Sequence, residues 1–259
     1  MPANRLPALG IAVVLVAVIA FGGWYFLLRD DAPAPVDLET AVASVATATQ
    51  TAAAVAPTET ATPADAQATS NAAVTAAALD GVIDGEWVVS SAGESFAGYR
   101  VGEELSSIGT NTAVGRTSDI AGTLEFDGSM ITAVNIEVNV ASLTSDDSRR
   151  DRQLRDRGLQ TNSFPTATFS LITPIEVSPV PSEGEPFAAV ASGELTLHGV
   201  THPVSIELSG QLVDGLVVVV GSTGIQFADF DITPPTGFIV LAVDDHGIIE
   251  FQLVFEPAS

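Results

Sequence analysis

Apolar and polar residues alternate through much of the C-terminal two thirds of the chain. In "VNIEVNV", Val134, Ile136, Val138 and Val140 fall on one face, and Asn135, Glu137 and Asn139 fall on the other. In "VSIEL", Val204, Ile206 and Leu208 oppose Ser205 and Glu207. In "IEFQLVF", Ile249, Phe251, Leu253 and Phe255 oppose Glu250 and Gln252. A period of two puts alternate side chains on opposite sides of a strand, so these segments predict half-buried antiparallel strands. Asp127-Gly128, Asp214-Gly215 and His246-Gly247 supply turn signals between them. Many strands with short turns predict a sandwich or a closed barrel in one domain over residues 81–259.

Two segments break the alternation. Residues 146–158, "DDSRRDRQLRDRG", predict a short helix. Ser145 or Thr144 can cap its start, Asp146 and Asp147 suit the first turn, and Arg155 and Arg157 suit the last. Gly158 sits where a left-handed residue would end it. Asp146–Arg150 and Asp151–Arg155 have the favourable spacing of four with the acid first. The second segment, Ala8 to Leu28, is an uncharged apolar run about long enough for a helix to cross a bilayer. Trp24 and Tyr25 near its end suit a membrane interface. A cleaved signal peptide is the rival reading, but bulky "WYFLLR" follows the core, and Pro35 follows the small-residue site "APA" at 32–34. The expectation is a cytoplasmic tail at 1–7, a transmembrane helix at 8–28, and an extracytoplasmic C-terminal domain held at the cell membrane.

Composition changes the picture between these parts. Residues 29–80 are rich in Ala, Thr and Pro with few large side chains, too little to offset the entropy of ordering them. They predict a disordered linker spanning roughly 40 Å on average. Ser/Thr-Pro content also resembles O-glycosylated stalks, and an unmodified spacer fits it equally well.

Charge excludes one function. The chain carries a formal net charge of -23, which repels nucleic acid. Residues 146–157 hold five of the nine basic residues, yet four Asp beside five Arg leave only +1 there. No nucleic-acid partner is expected. With no cysteine, disulfide and thiolate chemistry are absent.

The stretch "RRDRQLRDRGLQTNSFPTATF", Arg149 to Phe169, resembles the signature of the YceI-like lipid/polyisoprenoid-binding family, through Arg150, Asp151, Leu154, Arg155, Phe164, Pro165 and Phe169. "GEWVV" at Gly85, "IAGTLEFDG" at Ile120, "GELTLHGVTHPVSIEL" at Gly193 and "GIQFADFDI" at Gly224 follow the family's order. Two positions depart from it: Gln153 replaces a usual His, and Leu159-Gln160 an aromatic pair. The resemblance implies a lipocalin-like antiparallel β-barrel of about eight strands, with a helix inserted after the fourth strand or so. It also implies that a polyisoprenoid or fatty-acyl chain is held inside. Alternation alone leaves open a barrel filled by its own side chains, acting as a structural or interaction module.

Candidate wall residues of a lipid pocket are Val138, Val140, Ile206, Leu208 and Phe251 on inward faces, and Leu154, Phe164 and Phe169 around the helix. Arg150 and Arg155 suit an anionic head group at the mouth, or structural ion pairs with Asp146 and Asp151. His198 and His202 are expected to be solvated residues across a turn rather than a metal pair. Asp229 and Asp231 read as outward-facing strand residues. No hydrolase elbow or phosphate loop is present, so no enzyme activity, cofactor or metal is expected. The expected partners are the lipid and the membrane, and a homodimer is left open.

Overall fold

The alternating segments do form strands, and the strands close on themselves. The computed structural model describes residues 32–54, 84–91, 94–106, 109–234 and 240–258. In chain order the strands are β1 (Gly85–Val89), β2 (Phe96–Leu105), β3 (Gly109–Thr117), β4 (Ile120–Phe126), β5 (Met130–Asn139), β6 (Thr144–Ser145), β7 (Thr166–Leu171), β8 (Ile175–Glu176), β9 (Pro186–Leu197), β10 (Val200–Val213), β11 (Leu216–Gln226), β12 (Val240–Val243) and β13 (His246–Pro257). Eight of them pair in the ring β1-β4-β5-β7-β9-β10-β11-β13, and β13 returns to β1. The result is a closed all-β antiparallel barrel, which leaves its wall without open edges. β13 is long enough to serve two partners. Its end, Phe255–Pro257, closes on β1, while Ile248–Gln252 pairs with β2. The β2–β3 hairpin therefore extends the wall at one end of the barrel.

Turn chemistry sets two of the hairpins. Asp214 and Gly215 both take positive φ between β10 and β11, as the sequence predicts. His198 and Gly199 do the same between β9 and β10. His246-Gly247, read as a turn, instead opens β13; the chain turns just before it, at Asp244 and Asp245. Asp229 and Asp231 are not strand residues. Phe227–Phe230 form a 3₁₀ turn that Asp231 ends in the left-handed region.

The inserted helix follows β6. Its regular part, α2 (Ser148–Gln153), is shorter than predicted, and Leu154–Gly158 continue it as a wide π turn. Asp147 is the N-cap, its carboxylate accepting from Arg149 N at 2.7 Å, because Thr144 and Ser145 are taken up by pairing with β3. The left-handed residue after the helix is Gln160 rather than Gly158.

The predicted tail at 1–7, the span at 8–28 and residues 29–31 and 55–80 of the linker lie outside the described residues. Among the described residues no helix is long and apolar enough to cross a membrane. The rest of the predicted disordered linker contains a 17-residue helix, α1 (Leu38–Ala54). Asp37 caps it, accepting from Thr40 N at 3.1 Å. Ala41 and Val45 are buried, packed with Val218 and Val220 of β11 and Val254 of β13. Their spacing with Leu38 and Val42 gives α1 one apolar face. The segment from Ala32 through α1 is thus a strap laid on the outside of the barrel. The disordered reading failed here because the apolar face is built from small residues, and the surface that covers it lies more than 160 residues away in sequence.

Candidate functional site

Inward side chains of the ring enclose a cavity of about 380 Å³. That lies in the range of small-molecule sites, roughly 300–1,000 Å³. Its wall is mostly aliphatic, with Leu195, Ile206, Val219 and Leu253 among its residues. The wall is continuous with two buried clusters, one around Leu124, Ile206 and Leu253 and one around Val140, Leu159 and Leu197. Trp87 and Phe126, both buried, pack in the same cluster as Leu124 and Ile131 of the wall without lining this cavity themselves.

Charged lining residues gather at one end, the mouth formed by the β2–β3 hairpin and α2: Glu103, Asp147, Arg149 and Arg150. Glu103 is only 5% exposed. One oxygen accepts from Arg150 Nη2 at 2.6 Å and from Asn111 Nδ2 at 2.8 Å. Arg150 Nη1 donates to Asp146 and, at 3.3 Å, to Ser145 Oγ. Burial by itself would lower the pKa of Arg150, but Glu103 and Asp146 outweigh it and raise it. Tyr99 lines the cavity beside this pair. Desolvation pushes its phenol up to about 12, so it stays neutral. Its ring lies across Gly115, where a Cβ would come within 2.4 Å of it, so this close approach requires glycine.

The cavity gathers most of the predicted residues. Val138, Val140, Leu154, Phe169, Ile206, Leu208, Phe251 and Arg150 all line it. Phe164 does not; it packs edge-on against His198, with ring centroids 4.8 Å apart. Arg155 does not line it either. Its predicted partner Asp151 is buried, accepting from Ser145 N at 2.9 Å and Ser145 Oγ at 2.6 Å. Of the two predicted ion pairs in this segment, only Asp146–Arg150 forms. Gln153 and Leu159, the positions that depart from the family's pattern, both line the cavity.

Sequence reasoning missed Tyr99 and Glu103. A charged residue on an inward face of an apolar strand was the available signal: in "YRVGE", Tyr99, Val101 and Glu103 alternate. His198 also differs from expectation. It is buried, not solvated, with Nδ1 3.0 Å from Phe230 O. His202 packs edge-on to Phe230 instead of joining it. Exposed His246 lies 3.0 Å from Asp245, whose hydrogen bond raises its pKa.

Residues 87–255 match the model of the YceI-like domain, and the chain belongs to that family. It is 34% identical over 137 residues to a UPF0312 protein of Shewanella baltica, covering 52% of this chain and 64% of the relative. It is 33% identical over 106 residues to a UPF0312 protein of Shewanella oneidensis, covering 40% of this chain and 52% of that one. The chain thus spans less than two thirds of these relatives' length. A solved polyisoprenoid binding domain from Saccharophagus degradans superposes with a TM-score of 0.54 at 17% identity, covering 67% of this chain and 99% of that one. This likeness establishes the shared fold.

Proposed function

We propose that this protein is a non-catalytic lipid carrier that holds a polyisoprenoid or fatty-acyl chain inside its barrel and is anchored to the membrane by residues 8–28. The observation that carries the reading is the apolar cavity with charged side chains gathered at one end. Such a shape suits a long hydrocarbon tail with a polar head. Each buried square ångström of tail contributes about 25 cal/mol before the costs of binding. Family membership and the polyisoprenoid binding described for the Saccharophagus degradans domain support the same class of ligand.

On this reading the barrel domain is extracytoplasmic. Arg100 donates to Pro33 O and Arg116 to Ala34 O at 3.0 Å. These contacts fix residues 33 and 34 to the barrel wall, so an anchor at 8–28 would keep the domain near the membrane rather than at the end of a long coil.

Native mass spectrometry of the purified chain, followed by lipid extraction, tests the carrier reading. One isoprenoid or acyl lipid per chain is expected, released on denaturation. A chain that neither carries such a lipid nor takes one up would leave the interaction-module reading in its place. Protease added to spheroplasts tests the topology: the barrel should be removed, and a protected barrel would refute the orientation.

A further inference from the structure

Among the described residues, the partly buried cation at the mouth of the cavity is already engaged. Arg150 is the half-buried guanidinium there, and it is already held by Glu103 on one side and Asp146 on the other. A phosphate or carboxylate head could reach Arg150 only by displacing one of these. Displacing Glu103 would leave a carboxylate with 4% side-chain exposure without its cation, held by Asn111 alone, a strongly unfavourable outcome. The surrounding charge acts in the same direction. On the lining, Glu103 and Asp147 balance Arg149 and Arg150, and Asp146, bonded to Arg150, adds one negative charge beside them. Arg149 is exposed, where solvent and salt weaken its pull. Neutral hydrogen-bonding groups are available at the same place: the Tyr99 phenol and the Gln153 amide.

We propose that the cavity selects lipids with an uncharged head, such as a long-chain isoprenoid alcohol, over the phosphate of the same alcohol, and that the Glu103–Arg150–Asp146 arrangement sets this selection. The proposal rests on the carrier reading above. Its mechanism is competition: the two carboxylates occupy the guanidinium, and their surplus charge repels an incoming anion. The hydroxyl head makes no such demand.

The test uses the full chain, delipidated in mild detergent, with a polyprenol and its monophosphate of equal tail length. Wild type should bind the alcohol at least about tenfold more tightly. Asp146→Asn, at an exposed surface position, keeps the fold and removes one of the two carboxylate charges that compete for Arg150; it should narrow that ratio. Glu103→Gln should narrow it further or invert it. Equal or tighter binding of the phosphate by wild type would overturn the selection while leaving the lipid cavity standing. A ratio unchanged in both variants would overturn the role given to the two carboxylates. Failure of wild type to bind either lipid would instead overturn the carrier reading on which the proposal depends.

Discussion

Glu103 and Glu250 are both almost fully buried glutamates, at 5% and 1% exposure, and both are paired with arginine. One faces into the barrel at its mouth, and the other faces out, under the strap. Glu250 divides its two oxygens between two cations: Arg100 Nε reaches Oε2 at 2.8 Å, and Arg116 Nη2 reaches Oε1 at 2.6 Å. Both arginines then donate to the strap carbonyls of Pro33 and Ala34. Arg116 also lies over the Phe96 ring, 4.2 Å from its centroid. Gly98 stands opposite both Glu250 and Arg116 in the sheet. A Cβ there would meet Gly115 O at 2.2 Å and Arg116 Cγ at 2.8 Å, so glycine is what lets the arginine cross. This outer arrangement is a bolt between strap and wall. The inner one holds one arginine between two carboxylates beside the apolar cavity. Similar chemistry therefore bolts the strap on one face of the sheet and lines the cavity on the other, and the neighbouring groups decide which.

That comparison can be broken most severely at Glu250. Glu250→Gln leaves Arg100 and Arg116 side by side with reduced compensation. Breaking a buried pair typically costs about 3–5 kcal/mol, and the 28% exposure of Arg116 places this case near about 3 kcal/mol. Calorimetric or denaturant unfolding should register the loss. An unchanged midpoint would mean the bolt contributes little.

The strap can also be released without touching the bolt. Val45→Asp puts a carboxylate into the contact with Val218 and Val254. Because the strap can leave the wall, the cost is capped at the value of its docking, about 2 kcal/mol. Limited proteolysis should then cut within residues 32–54 while the barrel remains whole and still takes up lipid. Loss of lipid uptake would show that the strap supports the lumen as well.

Glu103→Gln is expected to cost less than Glu250→Gln, about 1–2 kcal/mol. The amide oxygen still accepts from Arg150, which keeps Asp146 as a partner. Its principal effect should be on head-group preference. A stability loss larger than that of Glu250→Gln would reverse the comparison.

Smaller still is the effect expected from filling the lumen. Leu208→Trp and Val138→Phe would cost about 1–3 kcal/mol in a filled core. Here each should cost less, since both positions line the cavity, while lipid uptake falls. Two variants that each lose several kcal/mol would mean the space cannot accept a side chain.

The smallest effect appears only in alkali. The fold favours the neutral form of Tyr99, whose pKa rises from 10.0 to about 12. Its contribution is complete below the unfolded value and fades as pH climbs from 10.0 to about 12. Tyr99→Phe should flatten that alkaline limb of the melting curve and leave the neutral region unchanged.

Much of the inner wall was legible along the chain. Val134, Ile136, Val138 and Val140 share a face by spacing alone, as do Ile249, Phe251, Leu253 and Phe255, and all eight line the cavity. The outer wall was harder to read. The run Leu216 to Val220 is apolar at every position, which is the mark of a strand covered on both faces. It implied a cover over Val218 and Val220 but not its identity. Pairing at spacing four was a weaker guide: Asp146–Arg150 forms, whereas Asp151 turns to Ser145 instead of Arg155.

What the order of residues determined by itself is local and periodic. A strand's side chains alternate, so the inward face, the Asp214-Gly215 turn and the interruption at α2 follow from short stretches of chain. Only the tertiary structure decided which distant groups meet. Glu250 joins Arg100 and Arg116 across 150 and 134 residues, Glu103 joins Arg150 across 47, and α1 finds Val254 on the last strand. These partnerships depend on how the strands close into a ring and on their register. Register places a side chain in three dimensions through pairings far away in sequence, so no local pattern encodes it.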